Sequence, residues 1–301
     1  MKGDGTASGG TGAAARRERL IGILLMCSAV FCFSGLDATA KYLGRELPTE
    51  QIVWARYFAS VVIVCALVNP VTRPGVLRTP RPWLQALRSV LLLASTGLNF
   101  IAIRYLQLAE ATAITFATPL LVTLLAALLL GERIGPRRIV AIGVGLVGVL
   151  VVTRPGLGGM HPAAIFSLLG CVAYASYSIA TRMLSYSDKP ETTLVYSGFA
   201  GVIVLTPLLP VFWTTPPSLT TWLLMGSMGF YAAFGHYLLI LAHQRAPAAI
   251  LSPFMYSQLL WMVALGLIVF GDVPDVYTIA GGLIVIASGL YLLSLERRRD
   301  G

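Results

Sequence analysis

The sequence predicts an all-α integral membrane protein whose ten transmembrane helices form two inverted five-helix repeats. Three observations carry that prediction: an apolar composition, ten apolar stretches of spanning length, and a duplication at roughly 140 residues. Hydrophobic residues make up 56% of the 301 residues and charged ones 12%, against about 25% charged in soluble domains. With a mean hydropathy of +0.79, this much apolar surface requires lipid as solvent. The net charge of +9 does not point to nucleic acid. The Lys and Arg residues sit in short loops and at the ends, with no patch of interleaved aromatics.

A membrane helix needs about 20 largely apolar residues. The stretches that qualify are 20–43, 50–69, 83–103, 109–130, 137–153, 163–185, 192–212, 219–242, 247–270 and 275–295. The fifth is short, and the seventh contains Pro207 and Pro210, which predict a kink or an early end. Residues 1–19 read as a disordered tail, because the first fifteen are rich in Gly, Ala, Thr and Ser. No cleavable signal is expected, since 20–42 is long enough to span and lacks a small-residue cleavage site.

The duplication sets the domain boundaries. Residues 107–134, QLAEATAITFATPLLVTLLAALLLGERI, and 244–273, QRAPAAILSPFMYSQLLWMVALGLIVFGDV, share an order of features. Each opens on Gln and small residues, carries a proline (Pro119, Pro253), and closes on Gly followed by an acid (Glu132, Asp272). Asn99 falls opposite His236, while Phe33 and Lys41 fall opposite Tyr174 and Arg182. The repeats are therefore 20–156 and 157–296, with 297–301 a second tail. Five spans per repeat place the second copy upside down relative to the first. Two such halves around a mid-membrane site are the usual construction of a secondary transporter.

Orientation follows from the basic residues. With the N-terminus in the cytoplasm, sixteen Lys and Arg residues lie on the inner side and four (Lys41, Arg45, Arg104, Arg154) on the outer. Both ends are thus expected to be cytoplasmic.

An ionisable side chain at mid-membrane costs about 2.5–3.5 kcal/mol on insertion scales, so it needs a partner, water or a function. Asp37 and Arg56 lie at similar depths in the first two spans and are expected to pair, with Lys41 near the outer surface. Arg88 lies towards the cytoplasmic end of the third span and is expected to snorkel. Asn99 and His236 are candidates for the transport path; the competing reading of His236 is a hydrogen-bonded packing residue. Pro119 and Pro253 are expected helix breaks that free the carbonyls of Thr115 and Ala249, beside Tyr256, Gln258 and Trp261. Simple bending of packed helices competes with that reading. Tyr174, Tyr177 and Ser178 add an aromatic and hydroxyl lining. Gly143, Gly145 and Gly148, with Gly281, Gly282 and Gly289, predict close helix contact or a homodimer. The cysteines (Cys27, Cys32, Cys65, Cys171) lie within spans without metal-binding spacing, so no metal and no cofactor are expected.

The endings 128–156, LLLGERIGPRRIVAIGVGLVGVLVVTRPG, and 268–293, IVFGDVPDVYTIAGGLIVIASGLYLL, within a ten-span layout, resemble the EamA branch of the drug/metabolite transporter superfamily. The resemblance covers residues 20–295. The blocks LDATAKYL (36–43), WARYF (54–58) and PFMYSQLLW (253–261) are similar to the subgroup with S-adenosylmethionine and riboflavin uptake carriers. Asp272 stands where that family has Glu, and is expected to cap a helix junction. The resemblance implies a carrier in the bacterial inner membrane with a central cavity between the halves. The inverted repeats lead to alternating access, and the aromatic, amide and histidine residues suit an amino-acid-like or heteroaromatic metabolite, with protons as a candidate coupling ion. Export by proton antiport is the alternative, and a non-transporting assembly or sensor protein is the remote one. An enzyme is not expected: three histidines and no acid or nucleophile cluster leave no catalytic constellation.

Overall fold

Hydrocarbon offers a backbone no hydrogen bonds, so apolar runs of spanning length satisfy their own polar groups as helices. The computed structural model describes residues 8–67, 74–130, 135–154, 161–184, 187–246 and 248–297, and among them there is no strand. The first half contains α1 (Ser8–Leu43), α2 (Thr49–Leu67), α3 (Pro82–Tyr105), α4 (Leu108–Thr115), α5 (Thr118–Leu130) and α6 (Pro136–Thr153). The second contains α7 (Ala164–Leu184), α8 (Pro190–Leu205), α9 (Leu209–Phe212), α10 (Leu219–Arg245), α11 (Ala248–Met255), α12 (Gln258–Leu265) and α13 (Val276–Arg297).

Eight stretches of the described residues are long and apolar enough to cross a membrane, rather than the ten expected. The two outside that set are α2, whose first half carries Glu50, Gln51 and Arg56, and α13, whose apolar portion Val276–Leu292 is shorter. The tail expectation also needs correction. α1 begins at Ser8, so 8–19 is helical. Ala13, Ala14 and Ala15 favour helix, and Glu18 pairs with Arg245 of α10 at 3.2 Å. The seventh stretch does kink: α8 gives way to a 3₁₀ turn, Thr206–Leu208, before α9.

Packing is reciprocal between the halves. α1 lies against α10 and α7 against α3; α2 also meets α10, and α8 meets α3. The last helices, α6 and α13, pack on each other. Polar ties repeat the exchange. Thr221 of α10 donates to Glu46, just after α1, at 3.0 Å. Gln85 of α3 donates to Asp188, just after α7, at 2.6 Å, and Thr79 donates to the same oxygen at 2.7 Å.

Each half has a broken helix. α4 stops at Thr115 and α5 starts at Thr118; α11 stops at Met255 and α12 starts at Gln258. The breaks correspond, at residues 116–117 and 256–257, and they face each other. Phe116 meets Tyr256 edge-on, with ring centroids 5.0 Å apart. The prolines do not occupy matching places: Pro119 follows its break, whereas Pro253 precedes its own, inside α11. At the first break the Thr115 carbonyl is not left open, because Thr118 Oγ1 donates to it at 2.7 Å.

Gly148 and Gly281 serve close contact between α6 and α13. A Cβ on Gly281 would stand 2.6 Å from the Gly148 carbonyl oxygen, while one on Gly143 would meet nothing within 4 Å. Gly281→Leu is therefore expected to destabilise by about 1–3 kcal/mol through overpacking, and Gly143→Leu to have little effect. Thermal unfolding of both variants in detergent measures the difference.

Candidate functional site

Helices α1, α2, α3, α7, α8 and α10 surround a polar cluster in an otherwise apolar interior. Asp37, half-buried on α1, accepts a hydrogen bond from Asn99 of α3 at 3.1 Å. Arg56 of α2 donates through Nη1 to Thr96 of α3 at 2.6 Å, and its guanidinium lies 4.9 Å from the Tyr57 ring. The expected Asp37–Arg56 contact pair is not formed. The two charges sense each other, but Asn99 and Thr96 hold them apart on the α3 surface. Similar depth along two helices does not fix their rotation, and rotation decides contact.

Arg88 departs further from expectation. It does not snorkel: it is 4% exposed. Nε donates to Thr181 at 2.7 Å, Nη1 to Ser197 at 2.6 Å and to the Thr193 carbonyl at 3.2 Å, and Nη2 to the Tyr177 hydroxyl at 2.8 Å. All of these oxygens belong to the second half, and none carries a formal charge. The side chain joins α3 to α7 and α8. A sequence signal for it exists: Gln85, Arg88, Thr96 and Asn99 recur at helical spacing along one face of α3.

From the second half, Tyr174 and His236 reach the same region. Both keep accessible surface, 44% in the case of Tyr174. Tyr174 lies 5.3 Å from Tyr177, centroid to centroid, and His236 packs edge-on to Phe33 at 5.0 Å. Helix ends set the register of the repeat more firmly than the apolar pattern does. The capping amides of Leu106 and Ala246 bond equivalently to Ala102 and Ala242, at a spacing of 140. On that spacing His236 corresponds to Thr96, the partner of Arg56, and not to Asn99.

The other candidates stand apart from this cluster. Thr115 spends its hydroxyl on the Ala111 carbonyl at 2.6 Å. Tyr256 packs on Phe116, Trp261 meets Phe31 edge-on at 4.9 Å, and Gln258 opens α12. Pro119 and Pro253 flank the breaks.

One mouth of the cluster is tied across the halves. Lys41 Nζ lies 2.6 Å from Asp272 Oδ2, donates to the Leu106 carbonyl at 2.9 Å, and sits 4.8 Å from the Phe270 ring. Asp272 is thus an ion-pair partner rather than a simple cap. Its backbone leaves a π-helical turn, Gly266–Phe270, through Gly271 at φ +70°. On the same side Arg154 pairs with Asp275 at 2.6 Å. Pairing 231 residues apart in sequence has no local signature. Among the described residues, no group of His, Cys, Asp and Glu could hold a metal ion.

The profile described as "EamA-like transporter family" matches residues 20–154 and again 161–295. An S-adenosylmethionine uptake transporter of Rickettsia prowazekii is 26% identical, over 87% of this chain and 88% of that protein. A riboflavin transporter of Rhizobium johnstonii is 26% identical, with 93% of each covered. A pseudopaline exporter of Pseudomonas aeruginosa is 28% identical, over 93% of this chain and 97% of that protein. A crystal structure with 19% sequence identity superposes with a TM-score of 0.63, covering 93% of this chain and 99% of its own. At that identity the likeness is one of fold.

The side chains of Lys41 and Asp272 retain 13% and 26% exposure, so their coupling is expected to lie between that of a surface pair and a buried one. A double-mutant cycle with Lys41→Met and Asp272→Asn is expected to give about 1 kcal/mol, read from thermal or denaturant unfolding. Coupling near zero would remove the tie.

Proposed function

The chain belongs to the EamA-like transporter family, and we propose that it moves a small organic metabolite across the bacterial cytoplasmic membrane by alternating access. The observation that carries the reading is the convergence of polar side chains from both halves on one interior region. Asp37, Arg56 and Asn99 come from the first half, and Tyr174, Tyr177 and His236 from the second. A wall shared in this way changes shape whenever the halves rock against each other.

The two halves run in opposite directions through the bilayer, with both ends in the cytoplasm. The Glu46–Thr221 and Asp188–Gln85 ties then lie at opposite faces, and the Lys41–Asp272 pair closes the outer mouth. In this arrangement, opening one face requires its ties to part while those of the other hold. Aromatic faces and amides suit an amino-acid-like or heteroaromatic compound. The kinship with uptake proteins for S-adenosylmethionine and riboflavin supports import, and the kinship with an exporter supports the second reading, export driven by proton antiport.

Proteoliposomes offered amino acids, S-adenosylmethionine or riboflavin, with and without a pH gradient, test this function. Accumulation of one compound is expected; none in either direction would overturn it. Asp37→Asn and Arg56→Ala are each expected to lower transport at least about tenfold at equal expression. They disturb charges inside a low-dielectric interior, where an unbalanced partner is costly. His236→Ala is expected to change the apparent substrate affinity, and an unaltered value would make His236 a packing residue.

A further inference from the structure

Arg56 is an interior cation without an anion in contact. The nearest acid, Asp37, is engaged by Asn99. Thr96 takes one Nη1 hydrogen, the Tyr57 ring covers one side of the guanidinium, and Nε is enclosed with no partner. Arg88 differs, because four oxygens of the second half occupy its donors. Of the helices around the cluster, α1 contributes Asp37, α2 Arg56, α3 Arg88 and α10 His236. Lys41 is matched at the mouth by Asp272. Two guanidiniums against one carboxylate leave the region with a formal excess of one positive charge.

An unmatched cation in a membrane interior is costly, and a single negative charge on the cargo would remove that cost. A guanidinium nitrogen donates a charge-assisted hydrogen bond to a carboxylate oxygen, stronger than one between neutral groups. In Arg56 the donor left without a partner among the described residues and not enclosed is Nη2, since Thr96 holds Nη1 and Nε is shut in. Resting on the transporter reading above, we propose that the cargo carries a carboxylate and that Arg56 receives it. Asn99 is the positioning residue that keeps Asp37 from satisfying Arg56 internally. Tyr174 and Tyr177 then face the remainder of the molecule, which favours a ring or another flat group beside the acid. The single excess charge favours a monoanionic group over a phosphate dianion. A cargo whose only charge is positive is disfavoured.

The full-length protein in detergent provides the test, by ligand-induced thermal stabilisation with matched pairs: indole-3-acetate and its amide, benzoate and benzamide, and S-adenosylmethionine and its decarboxylated form. In at least one pair the acid is expected to stabilise the wild type at a tenfold or more lower concentration than its partner. Arg56→Gln is expected to abolish that preference, and Arg56→Lys, which keeps the charge but loses the planar Nη2 donor, to retain only part of it. Equal behaviour within every pair overturns the proposal. So does a preference that survives in Arg56→Gln, or chloride acting as well as the acids. Because the wild-type comparison involves no substitution, poor folding of a variant does not blunt it. Binding in detergent is also independent of transport. Acid-selective binding without accumulation in liposomes would remove the transporter reading alone, whereas transport of a cargo indifferent to its carboxylate would remove only the Arg56 assignment.

Discussion

Charges and interrupted turns within an apolar slab have to be answered by the protein itself, and that constraint shapes the interior from end to end. Arg88 meets it with three side-chain hydroxyls and a carbonyl. The first helix break meets it with the Thr118 hydroxyl, which covers the carbonyl released ahead of Pro119. Ser288 does the same at the α6–α13 contact, donating to the Ala141 carbonyl at 2.6 Å. The cost of an unanswered polar group, several kcal/mol in hydrocarbon, makes such residues as binding on the fold as the apolar core.

Duplication supplied a scaffold of matching helices but not matching chemistry. The interior charges, Asp37, Arg56 and Arg88, all belong to the first half. The second half contributes neutral acceptors and rings: Thr181, Ser197, Tyr174, Tyr177 and His236. Equivalent helix starts show how far the copies have diverged. The amides of Ile52 and Thr193 bond to Pro48 and Lys189, at a spacing of 141, which sets Arg56 opposite Ser197. A guanidinium in one copy is thus a hydroxyl in the other, and that hydroxyl now binds the guanidinium of Arg88. The copies became complementary where their inner walls meet and remained alike where their helices end and break.

Much of the fold was legible in the chain because its signals are local. Apolar length marks the helices, Pro207 and Pro210 mark the kink between α8 and α9, and repeated endings mark the two halves. Interior contacts were less legible. Depth placed Asp37 beside Arg56, yet the rotation of α1 and α2 gave each to α3 instead. Arg88 lies near the end of a helix where snorkelling is available, so its capture by α7 and α8 depended on packing between halves. The polar stripe on α3 was nonetheless present in the sequence, at the spacing of one helical face. For the Lys41–Asp272 pair no such stripe exists, since its members lie at the ends of helices in different halves.

The ties across the halves differ in strength, and under the proposed alternating access that difference favours one side for opening. Arg88 gives up four hydrogen bonds from a charged donor if α3 leaves α7 and α8. At about 1.5–3 kcal/mol each, their full loss exceeds the roughly 5.5 kcal/mol that carries a two-state equilibrium from 1:99 to 99:1. The Lys41 and Asp272 side chains keep 13% and 26% exposure, so water replaces part of what is lost when this single ion pair parts. Separation at the Lys41 mouth is therefore the cheaper rearrangement. Under the proposed alternating access, the Arg88 junction would then be the firmer side, giving way only where water or cargo takes over its donors.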